Sequence, residues 1–161
     1  MTEKVFESQL RVRFNDCDPF QHLNNANYIS YFFMAREDQE REYMQFDDMA
    51  YLDRSGKNWV TYKNQIVYLS EVPYKEIVTI QSSIIRWEKT EYTMEFWMWD
   101  EQKTVLKSIM WSVWVHFDLK TKKRAEHDAY LDGIFRPLEN RLPDDISFDD
   151  RVLQIKNSLR W

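Results

Sequence analysis

Hydrophobic and polar positions alternate along several stretches of the chain, and this alternation predicts β-strands. Residues 5–14 alternate well enough for a first strand, with Leu10, Val12 and Phe14 on one face. After residue 58 the alternation is stronger and predicts long strands at 59–72, 77–87, 91–99 and 104–118. Residues 100–103 form the predicted hairpin turn before the last of these strands.

The last predicted strand carries large apolar side chains on both faces. A period of two places one group on a common face: Val105, Ile109, Trp111, Val113, Val115 and Phe117. The opposite face takes Leu106, Met110, Trp114 and His116. A strand that is apolar on both sides is expected at the centre of a sheet or at a subunit interface.

A long helix is predicted over roughly residues 25–46, after a polar loop at 15–23. Its first half, residues 28–35, is apolar almost all round, so we expect other structure to bury it on every side. Its second half, residues 36–42, is highly charged and is expected to emerge into water. Asn24 or Asn25 would cap its N-terminus.

The end of the chain predicts one more helix. Residues 128–140 give no clear pattern, but apolar residues at 148, 152, 155 and 159 have helical spacing. We therefore expect a short amphipathic C-terminal helix running to Trp161. This divides the chain into a main domain at 1–140 and a helical extension at 141–161.

The order of elements predicts an α+β fold with one main domain. A single buried helix has to be covered by one face of the sheet, so we expect a curved antiparallel sheet wrapped around one long central helix. The opposite sheet face keeps many large apolar residues. Because an exposed face of that kind favours association, we expect a homodimer or homotetramer.

Composition narrows the class of protein. The chain has 161 residues, of which 43% are hydrophobic and 16% aromatic, enough for one core without disulfide or metal support. The net charge of -5 argues against a nucleic-acid partner, and the basic cluster at 120–124 is interpreted as a solvated turn. The single cysteine, the absence of an apolar N-terminal run and the absence of a long apolar stretch predict no signal peptide, no membrane span and a cytoplasmic setting.

The candidate chemistry is concentrated in residues 11–36. The informative positions are Asp16-Cys17-Asp18, His22-Leu23-Asn24-Asn25, Tyr28 and Ala35-Arg36. With this spacing the segment resembles the opening of the 4-hydroxybenzoyl-CoA thioesterase-like family, which has the hotdog fold. The resemblance implies a hotdog domain and an acyl-CoA thioesterase, a hydrolase of thioesters.

The resemblance also implies roles for two positions: Asp18 as the catalytic carboxylate and the backbone N–H near Asn25 as the donor that polarises the thioester carbonyl. Physical reasoning agrees, since Asp18 precedes a helix whose first N–H groups are free. Asp18 could activate water or attack to give a mixed anhydride, and the sequence leaves both open. An acid in this position can also serve only as an Asx-turn or helix cap.

Three neighbouring residues have weaker cases. His22 matches a histidine of the plant acyl carrier protein thioesterases, which look similar here, but Phe20 stands where they have an asparagine, so a catalytic role for His22 stays open. Asp16 is interpreted as holding the loop. Cys17 lies between two carboxylates, which disfavour its thiolate as a nucleophile.

The expected substrate is an acyl-CoA or acyl carrier protein thioester with an apolar acyl group. Tyr28 and Phe32 are predicted to line an acyl pocket between helix and sheet, and Arg86 and Lys89 are candidates for binding coenzyme A phosphates. We expect no metal, because no Cys/His cluster is present, and no cofactor beyond coenzyme A as part of the substrate.

Two other functions remain possible. The first is a non-catalytic acyl-binding hotdog protein. The second, less favoured, is an enoyl-CoA hydratase or dehydratase. Hotdog hydratases separate their Asp and His by four residues, whereas three residues separate Asp18 from His22.

Overall fold

One antiparallel sheet dominates the computed structural model, which describes residues 4–159. Its strands run in the order β1-β3-β4-β5-β2, with the short β6 paired to β5. Their bounds are β1 Phe6–Arg11, β2 Lys57–Tyr68, β3 Ile77–Trp87, β4 Glu91–Asp100, β5 Leu106–Asp118 and β6 Lys123–Arg124. The four long predicted strands are confirmed, except that β2 ends at Tyr68 and not at residue 72.

The first strand is shorter than predicted. It ends at Arg11, and Phe14–Asp16 forms a turn of 3-10 helix instead. The Phe14 side chain is 71% exposed rather than sharing a buried face with Leu10 and Val12. The chain leaves the sheet here because the segment that follows folds back toward the helix.

The long helix starts with a 3-10 turn at Asn25–Asn27, continues as α1 over Tyr28–Gln39 and ends in a wider π-type turn at Glu40–Met44. The other helices are α2 Asp48–Ser55, α3 Ala129–Phe135 and α4 Phe148–Ser158. Asn24 is the N-cap, since its side chain accepts a hydrogen bond from the Ala26 N–H at 3.0 Å. The sequence prediction missed α2.

The first half of α1 packs one side against the inner sheet face, but the prediction of burial on every side is wrong, because Met34 is 42% exposed. Tyr28, Tyr31, Phe32 and Ala35 are each at most 2% exposed. The prediction that the charged half emerges into water is wrong at its start, because Arg36 and Glu40 are also buried. Arg36 Nη2 lies 2.6 Å from Glu40 Oε1, so each charge is compensated inside the core.

Part of the outer sheet face is covered by the helix α4. Phe148 and Ile155 of α4 are buried on it, and Val152 and Leu159 pack beside them. These four positions confirm the predicted helical spacing, while the predicted end at Trp161 lies outside the described residues. The expectation that a second copy covers this face is therefore wrong for the part that α4 occupies, and the division at residue 140 stays a prediction.

Strand β5 follows the predicted alternation only from residue 108 onward. Ile109 and Trp111 lie in the outer cluster, and Met110 lies in the inner core. At its start Met98 pairs with Ser108 but Trp99 pairs with Leu106, so Lys107 is an extra, bulged residue. The bulge reverses the alternation and places Leu106 on the outer face, opposite to the prediction.

Among residues 4–159, no helix is long and apolar enough to cross a membrane.

Candidate active site

The loop that carries Asp18 is a tight turn fixed by backbone hydrogen bonds. The Gln21 N–H donates to the Asp18 carbonyl at 2.9 Å, and the Asp18 N–H donates to the His22 carbonyl at 2.8 Å. Pro19 occupies the second position of this turn, where its fixed φ is favourable. Gln21 has a φ of 62° and so closes the loop in the left-handed region.

The Asp18 carboxylate is both a turn former and a cavity-lining group. Its Oδ1 accepts hydrogen bonds from the Phe20 N–H at 2.9 Å and the His22 N–H at 3.2 Å. This is the Asx-turn that the sequence also allowed. Oδ2 makes no hydrogen bond to any residue between 4 and 159, so it can act on a ligand.

The start of the long helix supplies a free donor. The Ala26 N–H is capped by Asn24, and the Asn27 N–H donates to the Asn24 carbonyl at 2.8 Å. Within the described chain the Asn25 N–H donates to nothing. Orphan N–H groups at a helix start attract negative charge, and Asn25 lines the same cavity as Asp18.

A cavity of about 260 Å³ brings these groups together. Its lining consists of Asp18, His22, Leu23, Asn25, Tyr28, Tyr68, Leu69, Ser70 and Glu71. Four of the residues predicted for the site therefore meet at one place. A larger cavity of about 400 Å³ lies at the outer sheet face beside Glu95 and Arg151 and holds none of them.

Glu71 and Tyr68 belong to this cavity but were not predicted. The Glu71 Oε2 lies 3.5 Å from His22 Nδ1, with both side chains open to solvent. Tyr68 donates to the Asn25 carbonyl at 3.0 Å and so joins the end of β2 to the helix start. No local pattern marks Glu71, because it reaches His22 only through the way the segment after β2 folds back.

Tyr28 forms the inner wall of the cavity. It is 2% exposed, and its ring meets that of Tyr68 edge-on at 4.9 Å. Burial raises the pKa of Tyr28 to about 12, and the nearby charges of Glu76, Asp18 and Glu71 act in the same direction. Its hydroxyl therefore keeps its proton, and it makes no hydrogen bond within residues 4–159.

Three predicted binding residues lie elsewhere. Phe32 is fully buried in the core, with its ring centroid 5.4 Å from that of Phe96. Arg86 pairs with Asp144 at 3.0 Å, and Lys89 pairs with Glu126 at 2.7 Å. The structure does not bring these three to the cavity, and their roles in binding stay predictions.

The other residues of the motif have structural contacts. Asp16 Oδ2 accepts a hydrogen bond from the Tyr31 hydroxyl at 2.8 Å, and its carbonyl accepts from the Asn27 side chain at 2.9 Å. Burial, followed by the charges of Asp18 and Asp16, raises the pKa of the Cys17 thiol. A thiol shifted in this direction is a poor nucleophile.

Two further histidines lie in an aromatic cluster at the far end of the sheet. Trp59 Nε1 donates to His127 Nε2 at 2.9 Å, so His127 Nδ1 donates to the Glu88 carbonyl at 2.8 Å. His116 lies between the Tyr51 hydroxyl and the Ala125 carbonyl. Burial lowers the pKa of both rings, to about 4 for His127. Within residues 4–159 no group of three or more His, Cys, Asp or Glu side chains is placed to hold a metal ion.

The model of the thioesterase-like superfamily matches residues 12–135, and the chain belongs to that superfamily. The matched range includes the Asp18 loop, α1 and the long strands of the sheet. The curved sheet around one long helix is the hotdog fold, and the superfamily supports thioester hydrolysis as the class of reaction. No curated protein sequence matches the chain.

Several solved structures share the fold at low sequence identity. YbaW, a probable thioesterase from Escherichia coli, is 21% identical with a TM-score of 0.72, over 83% of this chain and 98% of that one. The hypothetical protein SAV2348 from Staphylococcus aureus, solved in complex with CoA, is 14% identical with a TM-score of 0.79, over 94% of each chain. The 12:0-ACP thioesterase from Umbellularia californica is 13% identical with a TM-score of 0.78, over 91% of this chain and 56% of that one.

Proposed function

We propose that the protein hydrolyses an acyl thioester to a free acid and a thiol at the Asp18 cavity. The observation that carries this proposal is that Asp18 and Asn25 line one cavity, while the Asp18 Oδ2 and the Asn25 N–H have no hydrogen-bond partner among residues 4–159. Hydrolysis of a thioester needs a base or nucleophile on one side of the carbonyl and a donor on the other. Membership of the thioesterase-like superfamily supports the same reaction.

In the first of two routes Asp18 acts as a general base. Oδ2 takes a proton from water, the hydroxide adds to the thioester carbonyl carbon, and the carbonyl oxygen accepts a hydrogen bond from the Asn25 N–H. The C–S bond then breaks and the thiolate leaves. In the second route Oδ2 itself adds to the carbonyl carbon and expels the thiolate, and water later cleaves the mixed anhydride.

His22 is the proposed proton donor to the leaving thiolate. Its Nδ1 lies 3.5 Å from Glu71 Oε2, a contact that would orient the ring. Phe20 contributes only its backbone N–H to Asp18, and its side chain is 80% exposed. An asparagine side chain is therefore not needed at that position to hold the carboxylate.

The proposed substrate is an apolar acyl-CoA. The complex of SAV2348 with CoA supports coenzyme A as the carrier, while the 12:0-ACP thioesterase supports acyl carrier protein as the alternative. Leu23, Tyr28 and Tyr68 give the cavity apolar walls, in keeping with an apolar acyl group. Apart from coenzyme A as part of the substrate, we propose no cofactor.

A panel of acyl-CoA esters of increasing chain length, together with aromatic acyl-CoAs and one acyl carrier protein thioester, tests this function. We expect free thiol to be released from at least one of them, as measured with a thiol-reactive dye. Loss of enoyl absorbance from crotonyl-CoA without thiol release would indicate the hydratase instead. Binding of acyl-CoA by calorimetry with no thiol release would indicate the non-catalytic acyl-binding protein, in which Asp18 only forms its turn.

We also propose that the protein is a homodimer or homotetramer associated through the free edge of β2. Within the described chain β2 pairs only with β5, so its other edge is open. Val60 and Tyr62 on this strand are 43% and 67% exposed, and Tyr68 at its end lines the cavity. Light scattering during gel filtration is expected to give at least twice the mass of one chain; the mass of a single chain would contradict the proposal.

A further inference from the structure

The segment that joins β2 to β3, residues 69–76, forms the support behind the Asp18 loop; we call it the connector. The Leu23 N–H donates to the Val72 carbonyl at 2.8 Å, and the Tyr74 N–H donates to the Gln21 carbonyl at 2.9 Å. Glu71 of the connector faces His22 at 3.5 Å. The position of the connector therefore determines where the Asp18 loop lies and whether the Glu71 side chain contacts His22.

Lys107 holds the connector at both of its ends. Its carbonyl accepts hydrogen bonds from the N–H groups of Leu69 at 2.8 Å and Ser70 at 3.2 Å. Its Nζ donates to the Glu71 carbonyl at 2.9 Å and pairs with Glu76 Oε1 at 3.1 Å. These contacts span the connector from its first residue to its last.

The bulge in β5 is what directs Lys107 to this place. A residue inserted into one strand of a ladder is left unpaired and its side chain is re-aimed. Lys107 is that residue, and its side chain is only 10% exposed. A lysine is rarely buried unless paired, so the burial of this one is tied to its contacts with the connector.

Glu76 makes the arrangement sensitive to loss of the lysine. Its Oε2 is buried and has no hydrogen-bond partner within residues 4–159, so Lys107 is the cation that compensates this carboxylate. The charge of Glu76 also acts on Tyr28, on the inner wall of the cavity. Without the Lys107 ammonium the carboxylate would be buried with no counter-charge, and the connector would have to shift to hydrate it.

We propose that Lys107 is a positioning residue for the active site, which holds Glu71 against His22 and the Asp18 loop through the connector. This inference rests on the proposed thioester hydrolysis for its effect on rate. Lys107 touches neither substrate nor reacting atoms. It acts only through Glu71 and the backbone bonds of the connector.

Coupling between two substitutions tests the proposal. The variants are Lys107→Met, Glu71→Gln and the double variant, with Lys103→Met as the matched control. Lys103 lies just before β5 and pairs with Glu7 at 2.7 Å, away from the cavity. We expect Lys107→Met to lower kcat/KM about tenfold or more, mainly through kcat, because misplacement of a catalytic group by an ångström is costly. Lys103→Met is expected to leave kcat/KM unchanged.

The double variant separates positioning from simple loss of stability. If Lys107 acts through Glu71, adding Glu71→Gln to Lys107→Met costs little beyond the single substitution. Independent effects that multiply, or a Glu71→Gln variant as active as the parent, would overturn the proposal. If Lys107→Met fails to fold, the variant Lys107→Met with Glu76→Gln removes both charges of the ion pair. The effect of Glu71→Gln is then measured in this double variant.

Hydrogen exchange gives a readout that does not need activity. The amides of Leu23 and Tyr74, measured by NMR, are expected to exchange faster in Lys107→Met than in the parent, while central amides of β3 and β4 keep their relative protection. Unchanged exchange at these two amides would overturn the positioning role. If the parent cleaves no thioester, the proposed function fails, but hydrogen exchange still tests whether Lys107 holds the connector and the Asp18 loop in place.

Discussion

Acidification is expected to destabilise the protein through His127, and replacement of that ring by phenylalanine should remove the effect. The ring is stacked on Trp87 at 4.0 Å, and both of its nitrogens are engaged as a neutral imidazole. Burial is the main reason that its pKa falls to about 4 from an ordinary value of 6.5; the charges of His116 and Arg136 lower it further, and Asp132 and the Glu88 carbonyl oppose them. A second proton could be accepted only by breaking the hydrogen bond from Trp59.

The sign and the magnitude follow from proton linkage. Well above pH 6.5 both the folded and the unfolded states are neutral at this ring, so its contribution to stability is fully present. As the pH falls toward 4, the His127 ring binds a proton in the unfolded state but not in the folded state. The free energy of unfolding therefore decreases. Between pH 7 and pH 5 the two pKa values give a loss of about 2 kcal/mol. Since the ring is partly exposed, solvent screening reduces this to about 1 kcal/mol.

Urea unfolding followed by tryptophan fluorescence, at pH 7 and pH 5, measures this loss for the parent and for His127→Phe. Phenylalanine keeps the stack on Trp87 but loses the hydrogen bonds to Trp59 and Glu88. That cost is the same at both pH values, so it cancels in the difference. The parent is expected to lose about 1 kcal/mol more than the variant on acidification. Equal losses would refute the assignment of the effect to His127.

Three more substitutions have expected outcomes. Arg151→Met should lower the free energy of unfolding, measured in urea, by about 3 kcal/mol, because Glu95 is 3% exposed and loses its ion pair with Arg151 at 2.8 Å. Adding Glu95→Gln should recover part of this loss, and a double variant with the same loss would contradict the reasoning. Asp18→Ala should be less stable than Asp18→Asn by about 1–2 kcal/mol, since only asparagine still accepts hydrogen bonds from the N–H groups of Phe20 and His22. Equal melting temperatures would argue against a stabilising role of the Asp18 side chain in the turn. Tyr28→Phe should change the unfolding free energy by less than about 0.5 kcal/mol, and a loss above about 1 kcal/mol would mean that the hydroxyl has a partner.

Much of the fold follows from local patterns in the sequence. Period-two alternation located the four long strands, and the apolar run at residues 28–35 located the buried helix. The spacing of Phe148, Val152, Ile155 and Leu159 located the helix on the outer face. These patterns succeed because each element has to bury the apolar face that its own period creates.

The failures have specific physical causes. Arg36 and Glu40 are buried because they compensate one another, which a count of charges along the helix does not show. Leu106 faces the opposite side from its predicted neighbours because the bulge at Lys107 interrupts the period. Helix α2 spans only eight residues, of which Tyr51 alone is buried, so it has too few apolar positions to show helical spacing in the sequence.

The candidate site likewise contains residues that the sequence predicted and residues that only the structure revealed. Asp18, His22, Asn25 and Tyr28 lie in one short segment, so their spacing alone brings them to one cavity. Glu71 and Lys107 come from distant parts of the chain. Glu71, in the connector, contacts His22 directly, and Lys107, in β5, contacts only the connector. Contacts of that kind depend on how the strands pair, and no local pattern encodes them.

The most direct test of the central claim is the rate of thioester cleavage by Asp18→Asn. The amide oxygen of asparagine can still accept the two backbone hydrogen bonds of the turn, so the loop keeps its conformation. The substitution removes the negative charge and the carboxylate that acts as base or nucleophile. Asp149→Asn, in the exposed first turn of α4, is the matched control. With the best substrate of the panel, kcat/KM is expected to fall about a hundredfold or more for Asp18→Asn, with an unchanged melting temperature, and to stay at the parent value for Asp149→Asn. An Asp18→Asn variant that releases thiol as fast as the parent would contradict the role of Asp18 as the group that attacks or activates water.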